Sequence, residues 1–117
     1  MDRSSSPPVE RRRDPRARAS FPLVLTPSSG PLEAEVRDVS RSGVCATAAR
    51  PVPEMMRVRL RFDLPSPEGP RRIEGVGAVV RCARRAEAIY EIGILFTEMA
   101  DADRDRLAEF VRASARD

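Results

Sequence analysis

The sequence predicts an all-β fold: six strands closed into an antiparallel barrel, with a single α-helix at the C-terminal end. Three observations carry this expectation. Apolar residues recur in short runs, several with period-two alternation, between Phe21 and Phe96. Turn-forming Pro, Gly and Ser clusters separate those runs. Beyond Asp101 the apolar spacing changes to three and four, the period of a helix. At 117 residues the chain has room for one domain and one small core.

The first strand is Leu23-Val24-Leu25-Thr26, stopped by Pro27-Ser28-Ser29-Gly30-Pro31. Leu32, Ala34 and Val36 then alternate with Glu33, Glu35 and Arg37, the pattern of a half-buried strand. Asp38 to Gly43 interrupts it, Val44-Cys45-Ala46-Thr47 resumes extended character, and Pro51 and Pro53 punctuate again. The cleanest alternation places Met56, Val58, Leu60 and Phe62 on one face and Arg57, Arg59, Arg61 and Asp63 on the other. Pro65, Pro67, Gly69 and Pro70 mark a loop. Ile73 to Cys82 is the fifth strand, where the interior Gly75 and Gly77 signal a bulge or close backbone approach, and Ile89 to Phe96 is the sixth. The helix spans Asp101 to Arg112, with Leu107, Phe110 and Val111 on its apolar side and acids in its first turns.

Composition excludes several chemistries. The chain has no histidine, which removes Ser-His-Asp and Cys-His nucleophiles and every imidazole-dependent zinc site. Its two cysteines, Cys45 and Cys82, cannot form a four-cysteine site; they read as small buried apolar residues, with a single disulfide left open. No apolar run approaches the ~20 residues of a bilayer span, and Met1 to Glu10 carries no apolar signal region, so the expectation is a cytoplasmic chain without membrane insertion. Asp101-x-Asp103-x-Asp105 imitates a calcium loop, but Arg106 and Arg112 occupy the positions that need Gly and Glu, and helix-start acids explain it better. No metal site and no catalytic residue is assigned.

The charge is uneven. All 21 basic residues are Arg, against 18 acids, and the whole excess of +3 falls in the first twenty residues. Ser4 to Pro8 reads as part of a disordered tail, residues 1–9, and is followed by Glu10-Arg11-Arg12-Arg13-Asp14-Pro15-Arg16. A guanidinium grips phosphate with a planar fork and stacks on purine faces, so an arginine arm suits a small or local anionic partner. A basic arm for RNA or DNA is the competing reading, but only one aromatic, Phe21, lies nearby for base stacking. The second constellation is Asp38-x-Ser40-x-x-Gly43 between two strands. Asp38 and Ser40 can close Asx- and Ser-type turns, and Gly43 can take positive φ or admit a close neighbour. A carboxylate there can also accept from the Watson–Crick edge of guanine, while arginine donates to its O6 and N7.

Together, Arg12-x-x-x-Arg16 and Asp38-x-Ser40-x-x-Gly43 resemble the two motifs of the PilZ domain family. Gly77-Ala78-Val79-Val80-Arg81 and Tyr90 to Phe96 look like its late strands, and the closing helix fits as well. The resemblance covers residues 10–113, leaving 1–9 and 114–117 as tails. It implies a six-stranded antiparallel barrel that binds the bacterial second messenger cyclic di-GMP, with no cofactor and no catalysis of its own. Arg12 and Arg16 would hold phosphates and guanine faces, Asp38 and Ser40 would meet a guanine, and Gly43 would keep the turn open. Arg11 and Arg13, which flank the motif, would serve a second stacked ligand molecule. Ligand would order the arm and present a new surface to a partner protein not named by the sequence. The alternative is an adapter of the same fold that does not bind nucleotide.

Overall fold

The computed structural model describes residues 15–115, and among these described residues there are seven strands and one helix. The strands are β1 (Ala17–Arg18), β2 (Pro22–Thr26), β3 (Leu32–Val39), β4 (Gly43–Ala48), β5 (Arg57–Leu64), β6 (Arg71–Ala86) and β7 (Ile89–Met99); α1 (Asp101–Ala115) follows. Their hydrogen-bonded order is β3-β2-β5-β6-β7-β4, and β4 pairs back onto β3, which closes a six-stranded barrel. Every pairing is antiparallel. Closure leaves the six barrel strands without a long open edge, the hazard an unclosed sheet carries.

Strand alternation sets the inside and outside. In β5, Val58, Leu60, Phe62 and Leu64 are buried while Arg57, Arg59, Arg61 and Asp63 are exposed, as the sequence pattern required. Val36, Val44, Ala46, Ile73, Val79 and Ile92 extend the same core. At the helix end, Phe21 stacks on Phe62 at 5.5 Å between ring centroids and meets Phe110 edge-on at 6.3 Å. Leu107 and Val111 are buried beneath α1, so the helix is held by the apolar side its spacing marked. The register of β6 against β7 slips between Val76 and Gly77, in keeping with the glycine signal in that strand.

Four features depart from the sequence expectation. β1 is an additional strand: Ala17 and Arg18 pair with Val39 and Asp38, and thus continue the line of β2 along β3. Asp38 and Val39 belong to β3, so the turn begins only at Ser40. β6 runs past Cys82 to Ala86, where Glu87 and Ala88 close a tight hairpin with Ala88 at φ 58°. α1 likewise continues to Ala115, beyond Arg112.

Candidate functional site

Arg16, from the arginine-rich stretch, and Asp38, from the downstream turn motif, meet although 22 residues separate them. β1 is the reason. Pairing Arg18 with Asp38 leaves Arg16 just beyond the strand end, and its guanidinium donates to the Asp38 carboxylate. A register shift in β3 also contributes. Val36 faces Ala46, but Asp38 faces Cys45, so Arg37 is the extra residue of a bulge. Bulges of this kind re-aim the side chains that follow them. The pair remains partly solvated, with side chains 41% and 30% exposed. It is therefore a minor source of stability.

Ser40 to Ser42 makes the turn. Ser40 is buried, and its Oγ accepts from the backbone N–H groups of Ser42 at 3.1 Å and Gly43 at 3.2 Å. The Ser40 N–H donates to the Gly43 carbonyl at 2.9 Å. This serine faces inward and shapes the turn; it does not line the groove. Ser40→Ala leaves those amides without their acceptor, and we expect a loss of ~1–3 kcal/mol in denaturant unfolding. Gly43 sits in β4 opposite Leu95 and does not use positive φ. A Cβ there would lie 2.5 Å from the Ile94 carbonyl oxygen, so closeness of approach is what demands glycine.

Arg16, Asp38, Ser42 and Gly43 rim a groove of about 410 Å³ that runs across the outer face of β4, β7 and β6. Val80 and Leu95 stand exposed along it, and Arg81 and Glu91 also line it. Glu91 is held by Arg85 at 2.5 Å, lies 3.5 Å from Arg81, and accepts a hydrogen bond from the Cys45 thiol at 3.3 Å. The Arg85 hydrogen bond, helped by the thiol, holds the Glu91 carboxyl below its usual range.

Both cysteines are free. Cys82 packs against the core, but Cys45 faces the groove and acts as a polar donor, which corrects its reading as a small apolar residue. Burial, then the Glu91 hydrogen bond, pushes the Cys45 thiol up to about 11 from 9.0. The native state therefore keeps a proton that the unfolded chain loses, and stability falls as pH rises through this window. At pH 8 the rise leaves about a hundredfold less thiolate than in an unfolded chain. In a Cys82→Ser variant, we expect iodoacetamide to label Cys45 at least ~10 times more slowly in the native than in the guanidinium-unfolded protein. Equal rates, followed by mass spectrometry, would contradict this.

Of the residues singled out by sequence, Arg16, Asp38 and Gly43 line one groove, and Ser40 supports it from inside. Arg11, Arg12 and Arg13 lie outside the described residues. Val80, Arg81, Glu91, Leu95 and the polar role of Cys45 escaped the sequence reading. Their only signal is strand parity: Glu91 and Leu95 alternate with the buried Ile92, Ile94 and Phe96 and so face outward.

Comparison with known proteins follows the same lines. The model of the PilZ domain matches residues 10–113. No curated protein matches the chain. Among solved structures, the Bacillus subtilis inhibitor of motility, MotI/DgrA, superposes with a TM-score of 0.80 at 20% identity, over 94% of this chain and 56% of that one. The PilZ domain of YcgR from Escherichia coli, solved with c-di-GMP, gives 0.69 at 15% identity over 91% and 92%. YcgR from Escherichia coli in complex with c-di-GMP gives 0.71 at 16% identity over 91% and 46%. The chain thus spans about half the length of MotI/DgrA and of the longer YcgR chain. At these identities the structural likeness speaks for the fold, and the family match spans most of the sequence. A closed six-stranded barrel with one extra strand and a terminal helix, matched by that family over residues 10–113, places the chain in the PilZ domain family.

Proposed function

We propose that this PilZ domain is a receptor for cyclic di-GMP, a binding module that signals to a partner protein and performs no catalysis. The observation that carries the reading is the meeting of Arg16 and Asp38 at the rim of one open groove. A doubly anionic purine dinucleotide asks for both: guanidinium for phosphate oxygens and guanine O6 and N7, carboxylate for the guanine N–H edge. Family membership supports it, as do two YcgR structures that contain c-di-GMP. In this reading Arg16 and Asp38 contact ligand, Gly43 and Ser40 hold the turn, and Arg12 adds a second guanidinium. Arg11 and Arg13 serve a second stacked molecule. Ligand-driven folding of the arginine arm over the groove then creates the partner surface. In this reading the chain acts in the cytoplasm.

Calorimetric titration with cyclic di-GMP, and GTP as control, tests the reading. We expect saturable binding of two molecules per chain and no comparable binding of GTP. Saturation at one molecule per chain would remove the stacked pair while keeping the receptor. Absence of binding by a folded chain would turn the assignment to the adapter, a PilZ fold that recognises protein alone.

A further inference from the structure

The groove holds two cation–carboxylate couples, and they are unequal. Arg16 is committed to Asp38. In the second couple, Glu91 gives one oxygen, Oε1, to both Arg85 donors, Nε at 2.6 Å and Nη2 at 2.5 Å. Its other oxygen, Oε2, accepts from the Cys45 thiol at 3.3 Å and lies 3.5 Å from Arg81 Nη2. A charge-assisted N–H···O bond is about 2.7–2.9 Å long, so Arg81 is the loosely held member of this cluster. Its side chain is 52% exposed.

The backbone presents Arg81 to the groove. β6 slips its register between Val79 and Arg81, and Arg81 then pairs with Gly93 of β7. The absent side chain at position 93 leaves room beside the Arg81 stem: a Cβ there would lie 3.7 Å from the Arg81 Cβ and 3.9 Å from its Nε. Val80 and Leu95, 53% and 48% exposed, supply apolar surface next to it. Arg81 is thus a guanidinium with a fixed base, a free path into the groove and little committed charge.

We propose that Arg81 is a further ligand-binding residue of this groove, taking a phosphate of the nucleotide, and that Glu91 restrains it until ligand arrives. The inference rests on the reading of the groove as a nucleotide site. When phosphate binds, Arg81 leaves Oε2, and Glu91 stays satisfied by Arg85 and the Cys45 thiol. Glu91 therefore competes with the ligand for Arg81. Removing its charge favours binding, whereas removing Arg81 opposes it.

The test is calorimetric titration of cyclic di-GMP into wild type, Arg81→Ala and Glu91→Gln, each with its thermal midpoint recorded. Glu91→Gln keeps the size of the side chain and an acceptor for Arg85. We expect Arg81→Ala to bind at least about tenfold more weakly and with a shallower salt dependence, and Glu91→Gln to bind about threefold more tightly. Opposite signs from two neighbours are what a merely structural role would not produce. Binding by Arg81→Ala within twofold of wild type would overturn the proposal. So would weakening by Glu91→Gln as large as that by Arg81→Ala. If wild type itself does not bind, the nucleotide reading of the groove fails and this assignment falls with it; if wild type binds and Arg81→Ala is unaffected, this assignment alone fails.

Discussion

Gly43→Ala is expected to lower the thermal midpoint by more than ~10 °C, one methyl group acting against a whole barrel. At an ordinary site this substitution stabilises by ~0.4–1 kcal/mol, because alanine narrows the unfolded ensemble. Here the sign reverses. The new Cβ would lie 2.5 Å from the carbonyl oxygen of Ile94 and 3.5 Å from its carbon, and both belong to backbone. Side chains can rotate away from such an overlap, but a β7 carbonyl cannot. Gly43 is locked opposite Leu95, its carbonyl accepts from Ser40 N–H, and the neighbouring Ser42 carbonyl accepts from Phe96 N–H. Relief therefore requires β4 and β7 to separate where β3, β4 and β7 meet. Overpacking of a rigid site costs ~1–3 kcal/mol or more, and a small domain has only ~5–15 kcal/mol in total.

Gly93 provides the control. Its missing Cβ would meet nothing closer than 3.7 Å, an ordinary contact with the Arg81 side chain. Gly93→Ala should shift stability by less than ~1 kcal/mol. Calorimetric unfolding of the two variants compares two glycines on adjacent, paired strands, differing in what surrounds them. Equal midpoints would show that close approach is not what holds glycine at position 43.

How much of this was legible in the sequence depends on whether a feature is local. The alternation through Met56 to Phe62 fixes the inner and outer faces of β5 without reference to any partner, and burial follows it residue by residue. The 3/4 spacing of Leu107, Phe110 and Val111 does the same for α1. β1 could not be seen that way. It is two residues long, alanine and arginine, and exists because Val39 and Asp38 offer an edge beyond the end of β2. The bulge at Arg37 is likewise a relation between β3 and β4, with no glycine to announce it.

The candidate site divides along the same line. The motif spacing found Asp38, Ser40 and Gly43, yet it could not tell a serine aimed at ligand from one turned into its own backbone, and Ser40 is the latter. Arg81, Glu91 and Cys45 lie on three strands and meet only through the β4–β7 and β6–β7 registers. Strand parity puts Cys45 and Glu91 on the outer face, and pairing of Cys45 with Gly93 makes them diagonal neighbours. A pairing scheme derived alongside the strands would therefore have exposed this cluster.

Arg16→Ala is expected to weaken binding of cyclic di-GMP by at least about a hundredfold while leaving the fold nearly unchanged. The two halves of that expectation have separate causes. Stability is insensitive because the Arg16–Asp38 pair is solvated on both sides, and such pairs contribute ~0–1 kcal/mol. In the proposed reading affinity is sensitive because Arg16 sits at the groove rim beside Asp38, and a charge-assisted guanidinium–phosphate hydrogen bond is among the strongest a surface can offer. Arg16→Lys separates charge from shape. It keeps the cation but loses the planar fork, so an intermediate loss is expected, with the remaining affinity more sensitive to salt. Asp38→Asn removes the opposing carboxylate without changing its size, and in the proposed reading its effect should exceed what a freed Arg16 alone would give back, because the acceptor proposed for the guanine N–H edge is lost. A double-mutant cycle on Arg16 and Asp38 then measures how far the pair acts as one recognition unit. A coupling that appears in ligand affinity but is absent from unfolding would locate the work of this ion pair in recognition. Retention of wild-type affinity by Arg16→Ala, in a protein of unchanged midpoint, would mean that the anion is held elsewhere on the barrel.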